Sequence, residues 1–169
     1  MKKEKQYIPI KQDIEVASIV RTLLGEIEHQ CLPLFELWDD PQKTEYKGTF
    51  NPIRIITPIL EVAAEIEYPN EPRLLIEKLN VPESKISWFM FRHGLSHSIR
   101  PFNIKYNGET YGWGIKQFLG VHHISAEKII MISPRKLLDD LKIYLEGFLY
   151  EQRKISIQTG VEFLNHNNL

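Results

Sequence analysis

One stretch of the chain gathers the side chains best suited to handling a phosphate. From Trp88 to Pro101 it reads Trp-Phe-Met-Phe-Arg-His-Gly-Leu-Ser-His-Ser-Ile-Arg-Pro. It begins apolar, as the buried side of a helix does, then turns cationic at Arg92, His93, His97 and Arg100. Arginine is permanently charged and grips phosphate oxygens with two parallel N–H donors. Histidine takes up or releases a proton near neutral pH. RNA can be cut without metal when its own 2′-OH attacks the adjacent phosphate. That step needs a base for the hydroxyl proton, an acid for the leaving oxygen and positive charge on the phosphorane. One histidine does not readily act as base and acid at once, so a two-fold pair of sites would suit the reaction.

Spacing limits how these groups can meet. Residues five apart on an ideal helix lie ~140° apart around it, so Arg92 and His97 share a face only if the helix distorts. His93 and His97 are neighbours at four apart, as are Arg92 and Ser96. Gly94 weakens a helix by about 1 kcal/mol relative to Ala and is the expected place for a distortion. No acidic residue lies between Glu83 and Glu109, while Lys85, Arg92, Arg100 and Lys105 all do. Trp88, Phe102, Tyr106, Tyr111 and Trp113 are close in sequence and of a type that stacks on bases. Packing in a hairpin or core is the more ordinary use of such residues.

Arg92-His93-Gly94-Leu95-Ser96-His97 resembles the signature of the HEPN superfamily (higher eukaryotes and prokaryotes nucleotide-binding). That signature is Arg, four to six residues, then His, with a polar residue often directly after the Arg. It lies near the end of a late helix in an all-α bundle. The resemblance is close over these six residues and loose over the helical frame. It implies a metal-independent endoribonuclease of toxin or phage-defence type, with RNA as substrate and no cofactor. It also implies a homodimer that builds a composite site from the motifs of two chains. Arg92 is then the phosphate clamp, His97 the proton-transfer group and His93 a supporting polar contact. Ser96, Arg100 and Lys105 are the expected substrate contacts. A non-catalytic alternative belongs to the same resemblance: a dimerising or nucleotide-binding accessory, with an antitoxin or a nucleotidyltransferase as partner.

Plainer readings stand beside these. Arg92 can pair with a carboxylate of an earlier helix, such as Glu26 or Glu61. His97 can bond backbone carbonyls at a helix end, where the dipole favours it. His93 and His97 have the two-histidine spacing of a zinc helix, and His122-His123 could add a ligand. Gly94, however, occupies the place of the glutamate in the protease motif, and no metal is expected. His122-His123 is expected on an exposed loop after Gly120. Ser87 and Ser96 lie in no nucleophile-elbow context, and no glycine-rich phosphate loop is present.

The elements that must hold the motif follow from periodicity. Residues 1–12 form a polar, loose lead-in, and one domain spans 13–164. Helix one runs from about Asp13 to Trp38, its buried stripe including Ile14, Val16, Ile19, Val20, Leu23, Leu24, Ile27, Cys31, Leu34 and Leu37. Pro33 should kink or divide it. Helix two follows an Asn51 cap and Pro52 to about Ile66, with Pro58 inside it. A short helix spans Arg73 to Leu79, and a third long one begins near Pro82–Ser84 carrying Ile86, Phe89, Met90 and Leu95. Phe102–Tyr106 alternates as a strand, Asn107-Gly108 is a strong hairpin turn, and Tyr111–Phe118 returns. Lys128–Ile132 adds a third short strand, so a hairpin or meander insertion occupies 102–132. Ser133-Pro134 then opens the last long helix, to about Lys154 or on to Phe163. The expected fold is a mainly α bundle of four to five helices with that small β insertion.

Bulk properties narrow the function classes. A chain of 169 residues with 43% apolar composition suits one packed domain. A formal net charge of −1 gives no long-range pull on nucleic acid or anionic membrane, so anion binding must be local. The single cysteine, Cys31, excludes an internal disulfide and fits a reducing compartment. No apolar run approaches the ~18 residues of a membrane span, and a cytoplasmic protein without membrane association is expected.

Overall fold

The computed structural model describes residues 11–43, 50–95, 102–116 and 120–166, with side chains described for 16–43, 50–95, 102–116 and 120–150. It is mainly helical, with a small four-stranded sheet before the last helix. Helix α1 (Lys11–Glu26) passes through a π turn (Ile27–Cys31) into α2 (Leu32–Asp39). Helix α3 spans Asn51–Glu67, α4 Pro72–Lys78 and α5 Ser84–Phe89, the last continuing into a second π turn, Met90–Gly94. Strands β1 (Ile104–Tyr106), β2 (Glu109–Ile115), β3 (His123–Ile124) and β4 (Ile129–Ile132) precede α6 (Pro134–His166).

The first π turn has a covalent cause. Pro33 has no N–H, so the His29 carbonyl loses its helical donor. The Leu32 N–H reaches back five residues to the Ile27 carbonyl, and the turn widens by one residue. This corrects the apolar stripe. Leu23, Ile27, Cys31 and Phe35 are all buried at spacings of four, too wide for an unbroken α-helix, which advances ~10.8 residues in three turns. The wide turn absorbs the surplus. Beyond it Phe35 and Trp38 point inward, at 0% and 1% exposure, and Leu37 is exposed, as Ile19 is before it.

Helix α3 starts one residue before the expected position. Phe50 occupies the cap position, and the Arg54 N–H bonds its carbonyl at 3.2 Å. Asn51 is the first helical residue and not the cap, and its Oδ1 accepts from Arg54 Nη1 at 3.3 Å. Pro58 does not end the helix, which runs on to Glu67 and buries Ile53, Ile56, Leu60, Ala63 and Ala64. Helix α4 ends in a Schellman closure. The Val81 N–H bonds the Ile76 carbonyl and the Asn80 N–H the Glu77 carbonyl, with Asn80 in the left-handed region at φ 56.

The sheet departs from a meander. Strands β1 and β2 form the expected antiparallel hairpin, but β2 and β4 run parallel, Gly112–Ile115 against Ile129–Ile132. Strand β3 pairs antiparallel with β4 on its outer side, giving the order β1-β2-β4-β3. The two-residue strand β3 has almost no pattern of its own, which is why periodicity does not announce it. Strand β2 begins at Glu109 and ends at Ile115 rather than at Phe118. Ile130 and Ile132 of β4 point into the core shared with α3, α5 and α6. At the hairpin, Asn107 and Gly108 both have positive φ, 50 and 80. Replacing Gly108 by a β-branched residue places strain of about 1–2 kcal/mol in the turn. Gly108→Val is therefore expected to lower the unfolding free energy from urea titration by that amount, and an unchanged free energy would show that the turn bears no such strain.

Helix α6 begins as expected: Ser133 is buried, its Oγ accepts from the Lys136 N–H at 3.4 Å, and Pro134 follows as the first helical residue. Leu137, Leu138, Leu141 and Leu145 form its buried stripe. Cys31 is fully buried, and burial, reinforced by the Glu26 charge, pushes its thiol up to about 11. It is core packing rather than a nucleophile. Among the described residues no helix is long and apolar enough to cross a membrane.

Candidate functional site

The cationic stretch starts on the second π turn. The Leu95 N–H bonds the Met90 carbonyl, five residues back. Met90, Phe91, Gly94 and Leu95 face the core. Gly94 is packed so closely that a Cβ there would lie 3.3 Å from Met90 Cγ and 3.8 Å from Phe102 Cε1. The inward half of the turn is thus anchored, and Arg92 and His93 occupy its exposed half. The distortion expected near Gly94 is present as this widened turn.

Arg92 reaches back to α3. Its Nε lies 3.0 Å from Glu61 Oε1, with the side chains 50% and 40% exposed. This is one of the two plain pairings considered for Arg92 from the sequence. An ion pair so open to water is worth about 0–1 kcal/mol. His93 packs against Phe89 as a tilted pair, ring centroids 4.9 Å apart at 43°. Lys105 sits on β1 opposite Thr110 and is exposed. Lys85 is already engaged, its Nζ 5.2 Å from the Tyr106 ring centre and 3.4 Å from the Tyr106 hydroxyl. His97, Ser96 and Arg100 lie outside the described residues, and so does the relation of His97 to Arg92.

The aromatic residues sort differently from their sequence positions. Tyr111 is only 5% exposed, and its hydroxyl donates to Glu109 Oε2 at 2.9 Å. Glu109 in turn holds Lys128 at 3.0 Å. Trp113 donates its indole N–H to the Phe102 carbonyl at 3.0 Å. Trp88, Tyr106 and Trp113 pack against the core. Of the five aromatics considered for stacking, Phe102 is the exposed one, at 48%. Phe89, read as a core residue, is 46% exposed. Its apolar type concealed this; only its place four residues before His93 hints at a shared outer face.

Two polar clusters elsewhere have no sequence signature. Tyr144 on α6 donates to Glu67 Oε2 at 3.0 Å, and Lys78 on α4 pairs with the same oxygen at 2.9 Å. Lys78 Nζ also lies 5.7 Å from the Tyr68 ring centre and 5.1 Å from that of Tyr144. Burial opposes the Glu67 charge, but its bonds to Lys78 and Tyr144 outweigh that and hold its carboxyl below the ordinary range. The cluster ties the end of α3 to α4 and α6. The second cluster corrects the expectation for His122, which lies not on an exposed loop but at 8% exposure. Its Nδ1 accepts the Ser133 N–H at 3.1 Å, so the other ring nitrogen carries the proton in the neutral form. That Nε2 is buried without a hydrogen-bond partner among the described residues. His123 is exposed on β3. Among the described residues no three His, Cys, Asp or Glu side chains gather as a metal-holding group.

No protein-family model matches the chain, and no curated protein or solved structure matches it either.

Proposed function

We propose that the chain is a metal-independent endoribonuclease of HEPN type, acting at a composite site of two chains. The observation that carries this is Arg92, half-exposed on the outer side of a packed π turn, three residues along a helix from an exposed aromatic and directly before His93. Arg92 binds the scissile phosphate and offsets the charge of the phosphorane. His97 moves the proton, and His93 supports the contact. The 2′-OH bonds to phosphorus, the P–O5′ bond breaks, and the leaving 5′ oxygen takes a proton. The products are a 2′,3′-cyclic phosphate and a 5′-hydroxyl. Ser96, Arg100 and Lys105 contact the flanking backbone.

A second reading draws on the Arg92–Glu61 pair: a non-catalytic accessory in which Arg92 is structural. Incubating the purified protein with RNA in EDTA separates the two. Fragments with cyclic phosphate ends support the nuclease. Cleavage abolished by EDTA indicates metal chemistry instead, and a folded protein that leaves RNA intact favours the accessory.

A further inference from the structure

Phe89, Arg92 and His93 are neighbours on the outer side of one helix, at spacings of three and four. Phe89 and His93 pack against one another as a tilted pair, and both are exposed. Just beyond, the exposed Phe102 ring approaches Gly94. Arg92 lies on the α3 side, held by Glu61. The outer face of this turn therefore offers one half-exposed phenyl ring, an imidazole and a guanidinium, and the second ring, Phe102, flanks it over the buried Gly94.

Size and charge decide what such a face fits. Two half-exposed phenylalanines present roughly 200 Å² of ring surface, against the ~800 Å² per partner of a stable protein interface. Interface cores also exclude charge, whereas here cationic groups interleave with the rings. One or two nucleobases match both the area and the pattern, since bases stack on aromatic faces while basic groups follow the backbone. A duplex does not, because its bases are already stacked on one another and its A-form major groove is too narrow for side chains. We infer that Phe89, with His93 and Phe102, is a base-stacking platform that makes the protein select single-stranded over double-stranded RNA. The inference rests on the proposed RNA site and assigns its specificity to residues outside the Arg–His pair.

The test uses the full-length protein and a fluorescein-labelled 2′-O-methyl RNA, which cannot undergo 2′-OH attack, as a single strand and as a duplex. Fluorescence anisotropy is expected to show at least ~10-fold tighter binding of the single strand. Phe89→Ala and Phe102→Ala should each weaken it by about 5- to 100-fold, and Phe89→Trp should preserve it. Phe89→Leu keeps an apolar side chain but no ring, and is expected to bind as weakly as the alanine variant. Circular dichroism checks that each variant is folded. If the wild type binds RNA and the Phe89→Ala/Phe102→Ala double variant binds it equally well, the platform is refuted and the RNA site stands. Equal affinity for the duplex refutes the platform as well. If the wild type binds neither form, the RNA site fails and takes the platform with it.

Discussion

Arg92→Ala is expected to lower EDTA-resistant RNA cleavage by about 10²–10³-fold, while shifting folding stability by about 1 kcal/mol or less. The two magnitudes come from different places. The stability term includes the loss of the Glu61 pair, which both partners hold in contact with water. The activity term follows from the proposed role: loss of a permanent cation facing the charge that develops on phosphorus. Arg92→Lys keeps the charge but not the planar fork, and should recover only part of the rate. Glu61→Gln sharpens the contrast. It releases the guanidinium from its carboxylate, so substrate binding should hold or tighten. If Arg92 were instead a strut, Glu61→Gln and Arg92→Ala would destabilise the fold alike and a double-mutant cycle would show their coupling. A stability loss of 3 kcal/mol or more with cleavage untouched would end the clamp assignment.

Mild acid is expected to destabilise the protein by roughly 2–3 kcal/mol between pH 7 and pH 4.5, chiefly through His122. Burial pushes His122 down to about 4, the Lys136 charge adds to this, and Asp140 opposes it. Its ring sits at the start of α6, where the Ser133 N–H points at Nδ1 and would have to give way to a second proton. In the unfolded chain the same ring protonates near pH 6.5. The folded-state contribution is therefore complete above pH 6.5 and is lost as the pH falls toward 4, each pH unit of that window being worth about 1.4 kcal/mol. His122→Asn can still offer an oxygen to Ser133 but cannot charge. Urea titrations at pH 7 and pH 4.5 should show a large loss for the wild type and a much smaller one for the variant. Equal losses would show that another group governs the acid response.

The long elements were legible from the sequence because their causes are local. Period and Pro52 mark α3, period, Ser133 and Pro134 mark α6, Asn107-Gly108 marks the hairpin, and Gly94 marks the place where a helix gives way. What the sequence concealed depends on distant partners or on phase. Leu37 and Phe89 look like core residues by type, yet the wide turn and the packing of Phe91 leave both exposed. The parallel pairing of β2 with β4 is a choice of neighbour that alternation cannot express. His122 is buried by the arrival of Ser133 and α6, eleven residues on. Of the site itself, the outward setting of Arg92 and its pairing with Glu61 matched readings available from the sequence; the exposed ring of Phe89 did not.

The first wide turn also imposes a rule of length. Leu23 and Phe35 are both inward only because the stretch between them holds one amino acid more than its turns require. A one-residue deletion inside the wide turn would restore α-helical phase, whereas an insertion would swing Phe35 and Trp38 about 100° around the axis. Two of the largest side chains in the interior would then face water. Point substitutions along this segment are judged one at a time by size and polarity, but a change in residue number is judged by rotation. The segment is correspondingly tolerant of the first on its outer face and intolerant of an added residue anywhere along it.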